Sequence, residues 1–371
     1  MVAPEDCPVS ALNILALNSG SSSLKFGLYR VDAAGVEKLL GETVVLADHP
    51  DAINQVASVL AASGKPPPDA IGHRVVHGGP VLRQHCRIDA TVLDQLQAAA
   101  AFAPLHTPAA LAVIRFAQMH FHGIPQLACF DTQFHTGLPE VARVLPIARE
   151  LLSDGMQRYG FHGLSLESIV RQLGHDLPPR LVVAHLGNGA SITALKAGQS
   201  IDTSMGMTPS GGVIMGTRGG DLDPGVLVYL MREKRFDAAR LEALIDQRSG
   251  LLGISGVSGD MRHLHEVAAS NRDARLAIEM FCYSVRKQVA AMIAVLGGLD
   301  LLVFTGGIGE NDAQVRTEIC TGLSWIGVSL DESRNRAASN PVSDGASRCQ
   351  VLVLASQEDE QIARHAWALL T

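Results

Sequence analysis

Two stretches of the chain share one hydrophobic pattern. Residues 14–17 are an apolar run, residues 18–23 a turn of small polar side chains, and residues 24–29 a second, largely apolar run. Residues 181–186, 187–189 and 190–195 repeat the arrangement. Each reads as a strand–turn–strand whose turn holds only Gly, Ser, Asn or Ala. Such a turn leaves backbone N–H groups unshielded, which suits close approach of a phosphate chain. Two such hairpins, about one domain apart, predict a duplicated core that closes on a nucleotide.

Between and after the hairpins, strand-like and helix-like runs alternate, so the pattern predicts an α/β architecture. Helices are expected over 51–63, 89–101 and 108–120, and strands over 70–76 and 126–130. Loop residues then dominate 131–163, a candidate crossover between halves. After the second hairpin comes a Gly-rich loop over 203–225. Helices are expected at 225–232, 238–247 and 274–296, a strand at 301–305, then a strand at 349–355 and a helix at 359–370.

Composition narrows the class. The 371 residues suffice for two domains, each with its own core. A hydrophobic fraction of 47% with 18% charged residues describes a globular chain. The net charge of −7 and the lack of a Lys/Arg stripe argue against a nucleic-acid surface. Six scattered cysteines without a Cys-x-x-Cys pair fit reduced thiols better than a disulfide framework or zinc site. The most apolar segment, 289–309, is broken by Gly297, Gly298 and Asp300, so it reads as a buried helix, a stop and a buried strand, with no membrane span. Glu5 and Asp6 stand where a secretory signal would be basic. A cytoplasmic location is expected.

Several motifs carry candidate chemistry. NSGSSSLK at 18–25 is neither a Walker P-loop nor a dinucleotide fingerprint, so any phosphate it binds is bound by a hairpin. GHRVVHGG at 72–79 delivers Arg74 to a strand end, where a guanidinium can clamp a carboxylate or phosphate. His73 and His77 in the same motif read as structural. MGTRGGDLDPG at 215–225 places Arg218 in a glycine-flanked loop that can reach a phosphoryl group, and its Asp221 and Asp223 read as caps of the next helix. FTGGIGEN at 304–311 ends a buried strand in bare backbone that a base or ribose could lie against. SGVSGDMR at 255–262 lacks the spacing of a hydrolase elbow. Asp131, His162 and Glu358 fall at strand ends or Gly-flanked turns, where sites collect.

Taken in order, these motifs resemble the acetate kinase family (acetate/propionate kinases). The resemblance rests on NSGSSSLK, GHRVVHGG, APLH at 103–106, FDT at 130–132 and FH at 134–135. It continues through RYGFHG at 158–163, HLGNGAS at 185–191, DTSMG at 202–206, TP at 208–209, MGTR and GDLDP. GLLGIS at 250–255, GIGEN at 307–311, Glu358 and IAR at 362–364 complete it. It implies the actin-like ATPase fold: two duplicated ribonuclease-H-like domains with an interdomain nucleotide cleft. On that plan, 1–133 with 360–371 form the acyl-substrate and phosphate domain, and 134–359 the nucleotide domain. The implied activity is reversible phosphoryl transfer between ATP and acetate, giving ADP and acetyl phosphate, with propionate also accepted. Mg2+ is the implied ion, with Mn2+ able to substitute, and the implied assembly is a homodimer.

By similarity, Arg74, Asp131, His162 and Arg218 are the catalytic residues, and Arg74, Val76, Leu105, Phe161 and Pro209 the carboxylate site. The resemblance puts ATP against Lys25, His185, Leu186, Gly187, Asn188, Gly189, Asp260, Met261, Arg262, Gly306, Gly307, Ile308, Gly309 and Asn311. It gives the metal to Asn18 and Glu358, together with Asp131. The chain departs from the family pattern at Thr107, Ser210, Gly211, Gly219, His263 and Gln357. Ser210 and Gly211 adjoin Pro209 and bear on acyl-chain preference. The alternatives are a kinase preferring propionate or butyrate, and a non-catalytic nucleotide-binding regulator on the same fold.

Overall fold

The computed structural model describes residues 11–20, 23–45, 49–104 and 106–371. Ser21, Ser22, Cys7 and the expected carboxylate-site residue Leu105 lie outside the described residues. The strands are β1 (Leu12–Ser19), β2 (Ser23–Asp32), β3 (Gly35–Val45), β4 (Ala70–Val75), β5 (Cys86–Arg87) and β6 (Gln126–Phe130), then β7 (Arg180–Leu186), β8 (Ala190–Lys196), β9 (Gln199–Thr203), β10 (Leu301–Thr305) and β11 (Gln350–Val353). The helices begin with α1 (His49–Ala62), α2 (Ala90–Ala98), α3 (Thr107–His120), α4 (Glu140–Arg143), α5 (Gly163–Leu173), α6 (Pro224–Glu233) and α7 (Ala238–Gln247). They end with α8 (Gly250–Ser255), α9 (Met261–Val267), α10 (Arg272–Leu296), α11 (Gly306–Asn311), α12 (Ala313–Thr321), α13 (Glu332–Ala337) and α14 (Glu358–Ala368).

The chain divides into two compact units. One comprises residues 1–133, 163–168 and 357–371, the other 134–162 and 169–356. Each holds one sheet, and the two sheets share a plan. In the first, β3-β2-β1 form an antiparallel meander, and β1 pairs in parallel with β4, which pairs in parallel with β6. In the second, β9-β8-β7 form the meander and β7 leads in parallel to β10 and β11. This is the duplicated α/β architecture. The two-residue β5, antiparallel to β6, is the one strand of the first sheet with no counterpart among the described strands of the second.

In the first unit both faces of the sheet are covered, which is why β1 is continuously apolar from Ile14 to Leu17 instead of alternating. Leu15 and Leu17 pack with Ile53 and Val56 of α1 and Val113 of α3. Ile14 and Ala16 face the other way, onto Ile362, Ala363 and Ala366 of α14. Burial of a side chain such as Ile362 contributes about 1.5–3 kcal/mol. Gly72 makes that packing possible, since a Cβ there would lie 2.5 Å from Ile362 Cγ2.

In the second unit α10 buries Ala274, Ala277, Ile278, Phe281, Cys282, Val285, Val289 and Met292 at three- and four-residue spacing. Asn271 caps its start by accepting from the Asp273 and Ala274 N–H groups, and Gly297 ends it at φ +70°. Two expectations are corrected. Residues 131–163 are not merely loop, since they contain α4 and two 3-10 turns. Asp221 does not cap α6: Asp223 does, through Gly225 N, whereas Asp221 Oδ1 accepts from Gly212 N at 2.7 Å. Among the described residues, no helix is long and apolar enough to cross a membrane. The described cysteines are unpaired thiols.

Candidate active site

In the first unit the parallel strands β1, β4 and β6 bring Asn18, Arg74 and Asp131 together at their carboxyl ends, where open α/β sheets collect ligands. Arg74 Nε donates to Asp131 Oδ1 and Oδ2 at 3.0 and 3.1 Å, and Nη2 to Oδ2 at 2.6 Å. Arg74 Nη1 donates to Asn18 Oδ1 at 3.2 Å. The Asn18 amide in turn donates to Glu358 Oε2 at 3.0 Å and Asp359 Oδ1 at 2.8 Å, at the start of α14. Burial pushes the Asp131 carboxyl up, with Arg74 pulling the other way. Burial opposes the charge on Arg74, yet Asp131 and Glu358 outweigh it and hold the guanidinium protonated. Burial likewise raises Asp359, opposed by the Asn18 hydrogen bond.

The two neighbouring histidines are structural. His73 is buried against Gln126 Oε1 at 2.7 Å, and burial lowers its pKa to about 4. His77 Nδ1 accepts from Gly79 N at 2.8 Å. Val76 is buried, and Lys25 is exposed on β2 opposite Asn18.

In the second unit His162 precedes α5 in the left-handed region, φ +59°, which turns its ring toward β7 and β8. The ring stacks on His185 at 4.1 Å, and Nδ1 is 2.9 Å from Ser191 Oγ. Arg218 Nη1 donates to the Pro209 carbonyl at 2.8 Å. The β7–β8 turn sits at the centre of this group. A Cβ on Gly189 would lie 3.4 Å from His162 Nε2 and 3.5 Å from Arg218 Nη2. One on Gly187 would lie 3.8 Å from Gly307 N, and one on Gly216 would lie 2.3 Å from Asn188 Oδ1. Bare backbone, a guanidinium and an imidazole nitrogen therefore face one another, a donor set suited to phosphoryl oxygens.

Around that turn, Gly306 takes φ +78° with its Cβ position 2.7 Å from Leu186 O, and its N–H is held by Glu310 Oε1 at 2.9 Å. Asn311 Nδ2 donates to Gly307 O. Ile308 is half-buried and Gly309 buried. Leu186 and Met261 are buried, so their side chains serve the core. Asp260 and Arg262 are exposed and pair with each other at 2.7 Å. Phe161 is buried, its carbonyl 2.9 Å from His135 Nε2.

A family model described as the Acetokinase family matches residues 13–364. The chain belongs to the acetokinase family. It is 41% identical over 396 aligned residues to the acetate kinase of Methylocella silvestris, covering 96% of this chain and 98% of that relative. Among solved structures it is similar to a propionate kinase from Francisella tularensis, with 35% identity, TM-score 0.86 and coverage of 96% of this chain and 100% of that one. It is similar too to the Porphyromonas gingivalis acetate kinase, with 34% identity, TM-score 0.81 and coverage of 97% and 100%. As a member of the acetokinase family it is a phosphotransferase that acts on a carboxylate with ATP as co-substrate, built on the actin-like ATPase fold.

The acetokinase motifs do not reveal every contact at these groups. Asp359 shares the Asn18 amide with Glu358, but in sequence it is one of three consecutive acids that read as the first turn of a helix. Asp246 is the other. Ser210 Oγ hydrogen-bonds its carboxylate and Thr217 Oγ1 its carbonyl, which ties the loop carrying Pro209 and Arg218 to the end of α7. No spacing in the sequence signals that tie.

Proposed function

We propose that this chain transfers the γ-phosphoryl group of ATP to acetate, reversibly and with Mg2+, and accepts propionate as a second substrate. The observation that carries the reading is the Asn18–Arg74–Asp131–Glu358 network, inside a chain that the Methylocella silvestris acetate kinase matches over 96% of its length. An acetate oxygen attacks the γ-phosphorus, the bond to the β-phosphate oxygen breaks, and ADP leaves. A carboxylate is already a nucleophile, so no general base is needed.

The remaining work is positioning and charge neutralisation. Arg74 would orient the carboxylate, and Val76, Leu105, Phe161 and Pro209 would set the acyl-chain preference. Arg218 and His162 would donate to the oxygens of the phosphoryl group. The glycines of the β7–β8 turn and of α11, with His185, Asn188, Asn311, Asp260 and Arg262, would hold ATP, and Lys25 would supplement its charge. The oxygen donors of Asn18, Asp131 and Glu358 fit a hard divalent cation. Bound there, Mg2+ would neutralise charge on the phosphate oxygens. We assign the acyl-substrate domain to 1–133 with 360–371 and the nucleotide domain to 134–359; the compact units follow this division except that residues 163–168 and 357–359 group with the first. Unpaired thiols favour a cytoplasmic location, and exposed apolar side chains on α6 and α10 favour a homodimer.

The test is incubation with ATP, Mg2+ and carboxylates from formate to butyrate, trapping acyl phosphate with hydroxylamine. Acetate should give the highest kcat/KM. Absence of hydroxamate with every acid refutes the reading, and a preference for butyrate refutes its substrate.

A further inference from the structure

His85 lies outside the family motifs named above and outside the proposed chemistry, yet it is buried against β6, the strand that Asp131 follows. It immediately precedes β5, the strand that the duplicated plan does not require. Its Nδ1 accepts a hydrogen bond from Phe130 N at 3.0 Å, its own N–H donates to Gln133 Oε1, and its ring stacks on Phe130. Phe130 ends β6, and Asp131 follows. β5 pairs only with Leu127 and Ala128, so strand pairing on that side stops short of Phe130. Without His85 the Phe130 N–H would be a buried donor with no ladder partner on that side, which a fold rarely tolerates.

We propose that His85 is a positioning residue for Asp131. By taking the Phe130 N–H it fixes the end of β6, and so aims the carboxylate that pairs with Arg74. The inference rests on the proposed role of Asp131, and it gives β5 a purpose, the delivery of His85.

One competing use of His85 is a metal site. His85, Glu167 and His365 bring ligand atoms within 4.8 Å of one another. The tautomer decides against it. Nδ1 spends its lone pair on Phe130, so the neutral ring carries its proton on Nε2, which is buried with no hydrogen-bond partner. A ligating histidine shows the opposite pattern, donating from the nitrogen that the metal does not use. Burial, with His365 nearby, lowers the ring's pKa to about 3, which keeps it neutral.

The experiment compares His85→Leu, similar in bulk without an acceptor, with His85→Asn, whose Oδ1 can replace Nδ1. His85→Leu should lower kcat about 10–100-fold with little change in KM for ATP, and His85→Asn should recover most of that loss. A crystal structure of His85→Leu should show Asp131 displaced from Arg74, a readout that stands whether or not the assigned substrate is right. Asp131→Asn is assayed alongside. If it leaves kcat unchanged, the reading of Asp131 is wrong. If it abolishes turnover while His85→Leu only lowers Tm, or if His85→Asn is as impaired as His85→Leu, the positioning role is wrong. Stoichiometric Zn2+ binding to the full chain that disappears in His365→Ala would overturn the tautomer and the proposal together.

Discussion

Arg74 is held by the Asp131 carboxylate and Arg218 by the Pro209 carbonyl, and the two guanidiniums are proposed to meet different partners. Arg218 lies beside His162 Nε2 at Gly189, and on the proposed reading it neutralises charge that develops on a phosphoryl group. Arg218→Ala should therefore lower kcat by about 10³-fold, as loss of a transition-state arginine does, and leave the Kd for ATP within a few-fold. Fluorescence titration with nucleotide beside steady-state kinetics checks this; equal losses in both would show ground-state binding instead.

Buried histidines set a second expectation at this scale. Burial lowers His73, hydrogen-bonded to Gln126, and His135, hydrogen-bonded to Phe161, from 6.5 to about 4. In unfolded chain these rings take up protons near pH 6.5, and in the fold they stay neutral until about pH 4. Their depressed folded values mean that stability is intact above pH 6.5 and is lost as the pH falls toward 4, where it levels off. Each tenfold drop in a ring's proton affinity corresponds to about 1.4 kcal/mol. Urea midpoints should hold from pH 7.5 to about 6.5 and then fall toward pH 4, and a flat profile throughout would contradict the burial of neutral rings.

At the scale of elements, glycines with different geometry should separate fold from chemistry. Gly306 sits at φ +78° with Leu186 O 2.7 Å from the position of a Cβ, so Gly306→Ala strains the β10–α11 junction. A left-handed non-glycine residue alone costs about 1–2 kcal/mol, and Tm should fall. Gly189→Ala meets His162 and Arg218 at ordinary contact distance and is not at positive φ. It should keep its Tm while its methyl fills the space between the imidazole and the guanidinium, lowering kcat at least 10-fold. Calorimetry and hydroxamate assays on the two variants distinguish the effects, and matching behaviour would contradict the assignment.

Elements also show what the sequence could carry. The helix expected at 238–247 and the strand at 301–305 coincide with α7 and β10, because caps and apolar runs mark their limits. The α5 helix escapes a sequence reading, since His162 starts it in the left-handed region with no side-chain cap. β3 escapes for another reason: its half-buried and exposed residues come in runs instead of alternating, with Glu37, Lys38 and Glu42 exposed. Arg74 and Asp131 each stand out in their motifs, but their pairing spans 57 residues of chain. It follows from the parallel β4–β6 register that sets Val75 against Phe130, a tertiary fact no local pattern contains. The same holds for His85 on Phe130.

At the scale of the whole molecule, duplication explains the two sheets and leaves other surface to be explained. In the second unit α6 exposes Val226, Val228, Tyr229 and Met231, and α10 exposes Leu276, Met280 and Tyr283. Residues 276, 280 and 283 recur at helical spacing, so they lie along one face of α10, opposite the side that Phe281 and Val285 bury. Tyr229 and Tyr283 are 54% and 58% exposed, and large half-exposed aromatics of this kind are enriched where proteins meet. A symmetric dimer that used these faces would bury both copies of each. Light scattering should give twice the 39.3 kDa chain mass. Tyr229→Asp combined with Tyr283→Asp puts charges where a dimer would desolvate them. These changes should convert the protein to monomer while Tm of the monomer stays measurable, because neither ring belongs to a core. A wild-type monomer at micromolar concentration, or a double variant that remains dimeric, would remove these helices from the interface and leave their apolar faces to some other surface partner.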